Sequence, residues 1–183
     1  MNKHFNLKAS LLVASVLALP LAQAAGMPKA DYSAAKSRIS AEYKADKTAC
    51  AVQAGNAKDI CVEEAKAKEK VARAELEYGY TGKSGDHNKV LVAKAESAYA
   101  VAKEKCDDLA GNAKDVCVKE AKAVEVKALA DAKMGKQIGE AKKDAAEDKR
   151  NADYKVAAEK CDALAGDAKA SCVASAKASF GKP

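Results

Sequence analysis

The sequence predicts an all-α protein built from three tandem disulfide-clamped helical hairpins forming an up-down bundle, with an extended helical zigzag as the alternative path. Three observations carry this. Composition comes first: 32% of the residues are charged, 4% are aromatic, tryptophan is absent, and the three prolines (Pro20, Pro28 and Pro183) lie outside the repeats. Ala, Lys and Glu dominate, and they favour helix because Ala loses no side-chain entropy and Lys and Glu lose little. The second observation is a threefold repeat, Cys50–Cys61, Cys106–Cys117 and Cys161–Cys172, with ten residues between partners each time. The third is a Gly-Asn or Gly-Asp dipeptide at the centre of every copy: Gly55-Asn56, Gly111-Asn112 and Gly166-Asp167.

The cysteine spacing and the dipeptide support one another. On one continuous helix, cysteines eleven positions apart are separated by about 16 Å of rise, far beyond the ~5.5 Å Cα separation of a disulfide. Each pair is symmetric about its dipeptide, so folding the chain there brings the cysteines face to face. Glycine suits the left-handed residue that ends a helix, and Asn or Asp suits the N-cap of the next. Gly-Asn thus reads as a two-residue helix-to-helix turn. Six cysteines allow fifteen pairings, and the repeat selects 50–61, 106–117 and 161–172.

Residues 1–24 read as a signal peptide. Lys3 and Lys8 precede an apolar stretch from Leu11 to Leu21, and Ala22-Gln23-Ala24 offers a small-x-small cleavage site. The apolar stretch is short for a membrane span of about 20 residues, so no transmembrane anchor is expected after cleavage. Export also places the cysteines where disulfides persist.

Hairpin 1 covers 25–79, with its second helix from Ala57 to about Tyr78. Glu64 with Lys68, and Glu69 with Arg73, are spaced for (i, i+4) ion pairs. Residues 80–88 form a Gly-rich loop. Gly82-Lys83-Ser84 does not make a phosphate-binding loop, because the required earlier glycine falls at Glu77 and a helix, not a strand, precedes it. Hairpin 2 covers 89–134, as helices of about 89–110 and 113–134. Its seam, Val92, Ala95, Tyr99, Ala102, Cys106 and Leu109, follows a heptad a/d pattern. The Gly junction 135–139 is expected to reverse the chain, giving six helices with all bridged tips at one end. Hairpin 3 covers 140–183. Its first helix, about 141–165, outruns its partner, 168–180, so its lower half must pack on hairpin 2, pack on another chain or fray.

Large apolar residues are sparse, so the contacts are narrow Ala-lined seams. Tyr43, Tyr99 and Tyr154 recur seven residues before the first cysteine of each pair. Two helical turns place them on the cysteine's face, where they fill gaps in the seam. Each bridge closes about twelve residues, worth somewhat under 3 kcal/mol by chain entropy, which offsets the thin core.

The function classes narrow accordingly. The net charge is +6, and the leader contributes two of those lysines. Acids are interleaved throughout, which does not suit a nucleic-acid binder. There is no Ser–His–acid set, no paired-carboxylate site, no cofactor motif and no Cys-x-x-Cys, so no enzyme is expected. A ten-residue cysteine gap is not zinc-ligand spacing, and no metal is expected.

The Ala/Lys/Glu-rich helical character across roughly 30–180 resembles the periplasmic helical region of TolA-like cell-envelope proteins. That resemblance implies a helical spacer in the envelope and carries over no individual residue. TolA keeps its N-terminal membrane helix, and its stalk lacks Cys-x10-Cys hairpins. The twin-cysteine hairpins of mitochondrial import proteins are similar in architecture but use two bridges per hairpin. The expected function is a non-enzymatic, disulfide-stapled scaffold or spacer in cell-envelope maintenance or stress. The alternative is a binding module for an anionic component such as lipopolysaccharide, acidic lipid or cell-wall polymer, motivated by Lys66, Lys68, Lys70 and Arg73 and by Lys142, Lys143, Lys149 and Arg150. Metal sequestration by reduced cysteines ranks last. Partners could include an envelope protein, lipid, polymer or a second copy of the chain.

Overall fold

A computed structural model describes residues 27–183; the expected signal peptide lies outside them. The described chain forms five α-helices and no strand: α1 (Lys29–Ala49), α2 (Gly55–Thr81), α3 (Ser84–Cys106), α4 (Gly111–Cys161) and α5 (Gly166–Phe180). The class is as expected, all-α with three clamped hairpins: α1/α2, α3/α4 and α4/α5. Each helix packs only against its neighbours in the chain. The first four helical segments therefore lie side by side as an up-down layer, with α2 and α3 inside it.

Position in the layer sets burial only in part, since α2, also flanked on both sides, buries only Ala65. The most shielded helix is α3, flanked by α2 and α4, with Val90, Ala93, Ala95, Ser97 and Cys106 buried. By contrast α1, covered on one side, buries only Ile39. The base of the α1/α2 hairpin is closed by aromatic contact, since large aliphatics are lacking there. The Tyr32 ring lies 4.4 Å from Tyr80, and the Tyr32 hydroxyl donates to Glu77 Oε2 at 2.7 Å.

Two expectations about the connections are corrected. The loop at 80–88 shrinks to Gly82-Lys83, because α3 already begins at Ser84. Gly82 takes φ +63° and its N–H reaches back to the Tyr78 carbonyl at 2.8 Å, ending α2. Across the break, the Thr81 hydroxyl donates to Asp86 Oδ2 at 2.6 Å. Asp86 sits in the first turn of α3, where a carboxylate complements the positive helix end. Hydrogen bonds from Lys89 first, and Thr81 second, hold its pKa below the usual carboxylate value.

The second correction concerns 135–139. No reversal occurs there, and α4 runs uninterrupted for 51 residues, about 76 Å. The path therefore follows the zigzag alternative beyond hairpin 2. The repeat supplies the reason: the left-handed Gly82 that ends α2 corresponds to Ile138, and Thr81 and Asp86, which brace the break, correspond to Gln137 and Ala141. Neither replacement can rebuild the hydroxyl–carboxylate cap. Gly135 and Gly139 remain as helix-interior residues costing about 1 kcal/mol each relative to Ala, too little to break the helix alone. Consequently the third bridged tip lies at the far end from the first two. Every residue from 133 to 150 is exposed, although Gly135, Lys136 and Gly139 border a groove with the start of α3 and Glu147 and Arg150 border one with the end of α5.

Candidate functional site: the clamped turns and their seam

The three turns share one local plan. After each first cysteine the helix gives way to an i→i+3 turn: Gln53, Leu109 and Leu164 donate their N–H to the carbonyls of Cys50, Cys106 and Cys161 at 3.1, 3.0 and 3.0 Å. Ala54, Ala110 and Ala165 are then extended. Gly55, Gly111 and Gly166 follow at φ +57°, +54° and +56°, a region that costs an L side chain roughly 1–2 kcal/mol. The glycines are left-handed, as the sequence implies. Their place differs: they open the second helix, and the first helix ends at or just before the cysteine.

That shift corrects the capping expectation. Asn56, Asn112 and Asp167 each lie one residue inside a helix, and no side-chain hydrogen bond caps the boundary. Asn56 has another role. Its Nδ2 donates to the Glu104 carbonyl at 3.0 Å and to Asp108 Oδ1 at 2.7 Å, tying the first bridged tip to the second.

The cysteines pair as expected, with Cα separations of 5.6, 5.7 and 5.6 Å. Within each pair the first sulfur-bearing residue is sealed. Cys50, Cys106 and Cys161 are only 1%, 0% and 0% exposed, whereas Cys61, Cys117 and Cys172 are half-buried. Two turns are also crossed by an ion pair, Asp107–Lys114 at 3.1 Å and Asp162–Lys169 at 3.0 Å. These were legible as an Asp-x6-Lys spacing in copies two and three; copy one has Ala51 and Lys58 instead.

The tyrosines sit half-buried along the seam, each against a different neighbour. Tyr43 lies under the Lys47 ammonium at 5.4 Å. Tyr99 packs beneath Lys122 of the facing helix at 4.7 Å, close enough for cation–π attraction. Tyr154 meets Phe180 edge-on at 6.3 Å, joining α4 to α5. The Lys122 pKa is raised, chiefly by its hydrogen bond to the buried Glu125.

Ion pairing differs from the expected spacing in one instance. Glu69 and Arg73 pair at 2.7 Å, and the guanidinium also reaches Ser40 Oγ. Glu64 and Lys68 instead turn outward to flanking helices, Glu64 to Lys105 at 2.8 Å and Lys68 to Asp46 at 2.8 Å. Contacts across helices win because the layer places α1 and α3 on either side of α2.

Beside the first bridge, an open groove of ≈ 230 Å³ is lined by Asp46, Ala49, Cys50, Cys61, Glu64 and Lys68. Its charged rim is already satisfied by the Asp46–Lys68 pair, which raises the Lys68 pKa through the hydrogen bond. No group of three or more His, Cys, Asp or Glu side chains among the described residues is placed to hold a metal ion. The bridges fix helix ends to one another.

No protein-family model matches the chain, and no characterised protein or solved structure is recognisably similar to it.

Proposed function

We propose that this chain is a non-enzymatic scaffold or spacer of the cell envelope, exported through the leader at 1–24 and working in the periplasm. The observation that supports this most is the placement of two bridges on α4. Cys117 ties its beginning to α3 and Cys161 ties its end to α5, on a helix of 51 residues. A helix clamped near both ends holds its two hairpins a set distance apart. The TolA-like composition supports the same reading. The three disulfides fit folding in an oxidising compartment, and no described helix is long and apolar enough to cross a membrane.

Recovery of the protein from the periplasm tests the proposal. The expected product begins after Ala24 and has no free thiol. Six free thiols, or a chain retaining residues 1–24, would contradict it. Binding of an anionic envelope component is less supported. Lys66, Lys68, Lys70 and Arg73 each meet an acid within the fold, Glu63, Asp46, Glu96 and Glu69. Those charges are already neutralised locally, so what support this reading keeps comes from Lys142, Lys143, Lys149 and Arg150, which are exposed and without ion pairs among the described residues.

A further inference from the structure

The interface between α2 and α3 contains a pattern that recurs, unused, on α4. At the α2–α3 interface, Glu64 pairs with Lys105 at 2.8 Å, Glu75 with Lys94 at 2.7 Å and Lys70 with Glu96 at 2.6 Å. Asn56 binds the Glu104 carbonyl, and Tyr78 packs on His87 at 4.9 Å. In the repeat, α2 maps onto the first half of α4 with an offset of 56, and α3 onto its second half with an offset of 55. Glu64 and Lys105 become Glu120 and Lys160. Glu75 and Lys94 become Asp131 and Lys149. Asn56 and Glu104 become Asn112 and Glu159. The third ion pair is replaced by Val126 and Asn151, Tyr78–His87 by Met134–Lys142, and the Asp108 acceptor of Asn56 by Ala163.

Among the described residues, none of Glu120, Asp131, Lys149 and Lys160 forms an ion pair. The apolar positions between them are bare as well. Val116 and Met134, which stand for Ile60 and Tyr78, are 44% and 54% exposed. Val126 and Ile138 are 53% and 48% exposed, and Val156, which stands for Val101, is 56% exposed. Residues 116, 123, 130, 134, 145, 152 and 156 recur at helical spacing and make one stripe along α4. Glu125 and Ala132, buried against α3, and Cys161, bridged to α5, occupy the other side.

The matching halves lie on one continuous helix, so they cannot meet within a chain. Glu120 and Lys160 are separated by about 60 Å of rise. Both Glu120–Lys160 and Asp131–Lys149 are centred on residue 140, so an antiparallel second copy of α4 satisfies both pairs twice over. We propose that two copies of this chain associate through this face of α4, about a two-fold axis crossing it at the level of residue 140. Each first half of α4 then receives the second half of its partner, as α2 receives α3. The contact is isologous and closes on itself. A stripe along 51 residues with its flanking charges presents about 20 residues a side, the scale of a specific interface. This inference does not depend on the envelope role.

Sedimentation equilibrium on the oxidised mature protein tests it, with the double variants E120K/D131K and K149E/K160E. All four positions lack ion-pair partners in the single chain, so the fold should survive, as circular dichroism will verify. The wild type should sediment as a dimer at micromolar concentration. Each double variant alone opposes like charges at four places in the dimer and should raise the dissociation constant about tenfold or more. Mixed in equal amounts, the two variants should restore the dimer as a heterodimer, because opposite charges face one another again. A monomeric wild type, unchanged self-association of either variant, or a mixture that stays apart would overturn the proposal.

Discussion

Removing the third bridge with C161A/C172A should melt α5 selectively. The helix has 15 residues, a length at which an isolated helix is marginal in water. It packs on α4 alone, buries only Ala176, and gains the Tyr154–Phe180 contact. Cys161 and Cys172 are eleven positions apart, and a closed loop of about twelve residues gives about 2.8 kcal/mol by chain entropy. Since α5 has few other contacts, that term should appear nearly whole as local opening. Amide hydrogen exchange on the oxidised variant is the assay. Protection of the α5 amides should fall about a hundredfold, because 1.4 kcal/mol is a factor of ten, while α2 and α3 stay unchanged. Removing Cys106–Cys117 should have a smaller local effect, since the long α3–α4 contact remains. Unchanged α5 protection in C161A/C172A would refute the reasoning that the bridges compensate for a thin seam.

Other consequences can be checked by thermal or chemical unfolding. Gly111→Ala forces a Cβ into φ +54° and should cost roughly 1–2 kcal/mol, whereas Gly139→Ala, inside a helix with open space around it, should not destabilise the single chain. Asn56→Ala removes the tie between two tips and should cost about 1 kcal/mol; Asn112→Ala, exposed and without that bond in the single chain, should cost measurably less when assayed below the dimerisation range. Asp86 has a folded-state pKa below its ordinary value. Its stabilisation is therefore complete above the unfolded carboxylate pKa and disappears as pH falls through the folded one. Melting from pH 5 down to pH 2 should show a steeper acid loss for the wild type than for D86N.

The sequence made the clamps legible because they are local. Ten residues centred on a Gly-Asn or Gly-Asp step specify a hairpin whatever surrounds it, and the pairing follows from the repeat. The conformation of Gly55, Gly111 and Gly166 was legible for the same reason. Their position was not: whether a left-handed residue closes one helix or opens the next depends on where the first helix stops. That point is set by the turn after Cys50, Cys106 and Cys161, not by the glycine.

The path through 135–139 was harder to read because glycine alone is an ambiguous signal. Gly82 breaks the helix with the help of Thr81 and Asp86, while its counterpart in the repeat is Ile138, and Gly135 and Gly139 beside it stay helical. Aligning the two junctions through the repeat would have exposed the missing pair. Cross-helix contacts such as Asn56 with Asp108, or Glu64 with Lys105, needed the order of helices in the layer, and no local spacing contains that.

The most direct test of the account is peptide mapping of the mature protein under non-reducing conditions. Three bridges should be found, 50–61, 106–117 and 161–172, each within one chain and one hairpin. A bridge joining different hairpins, or any free cysteine among the six, would contradict the clamped-hairpin architecture.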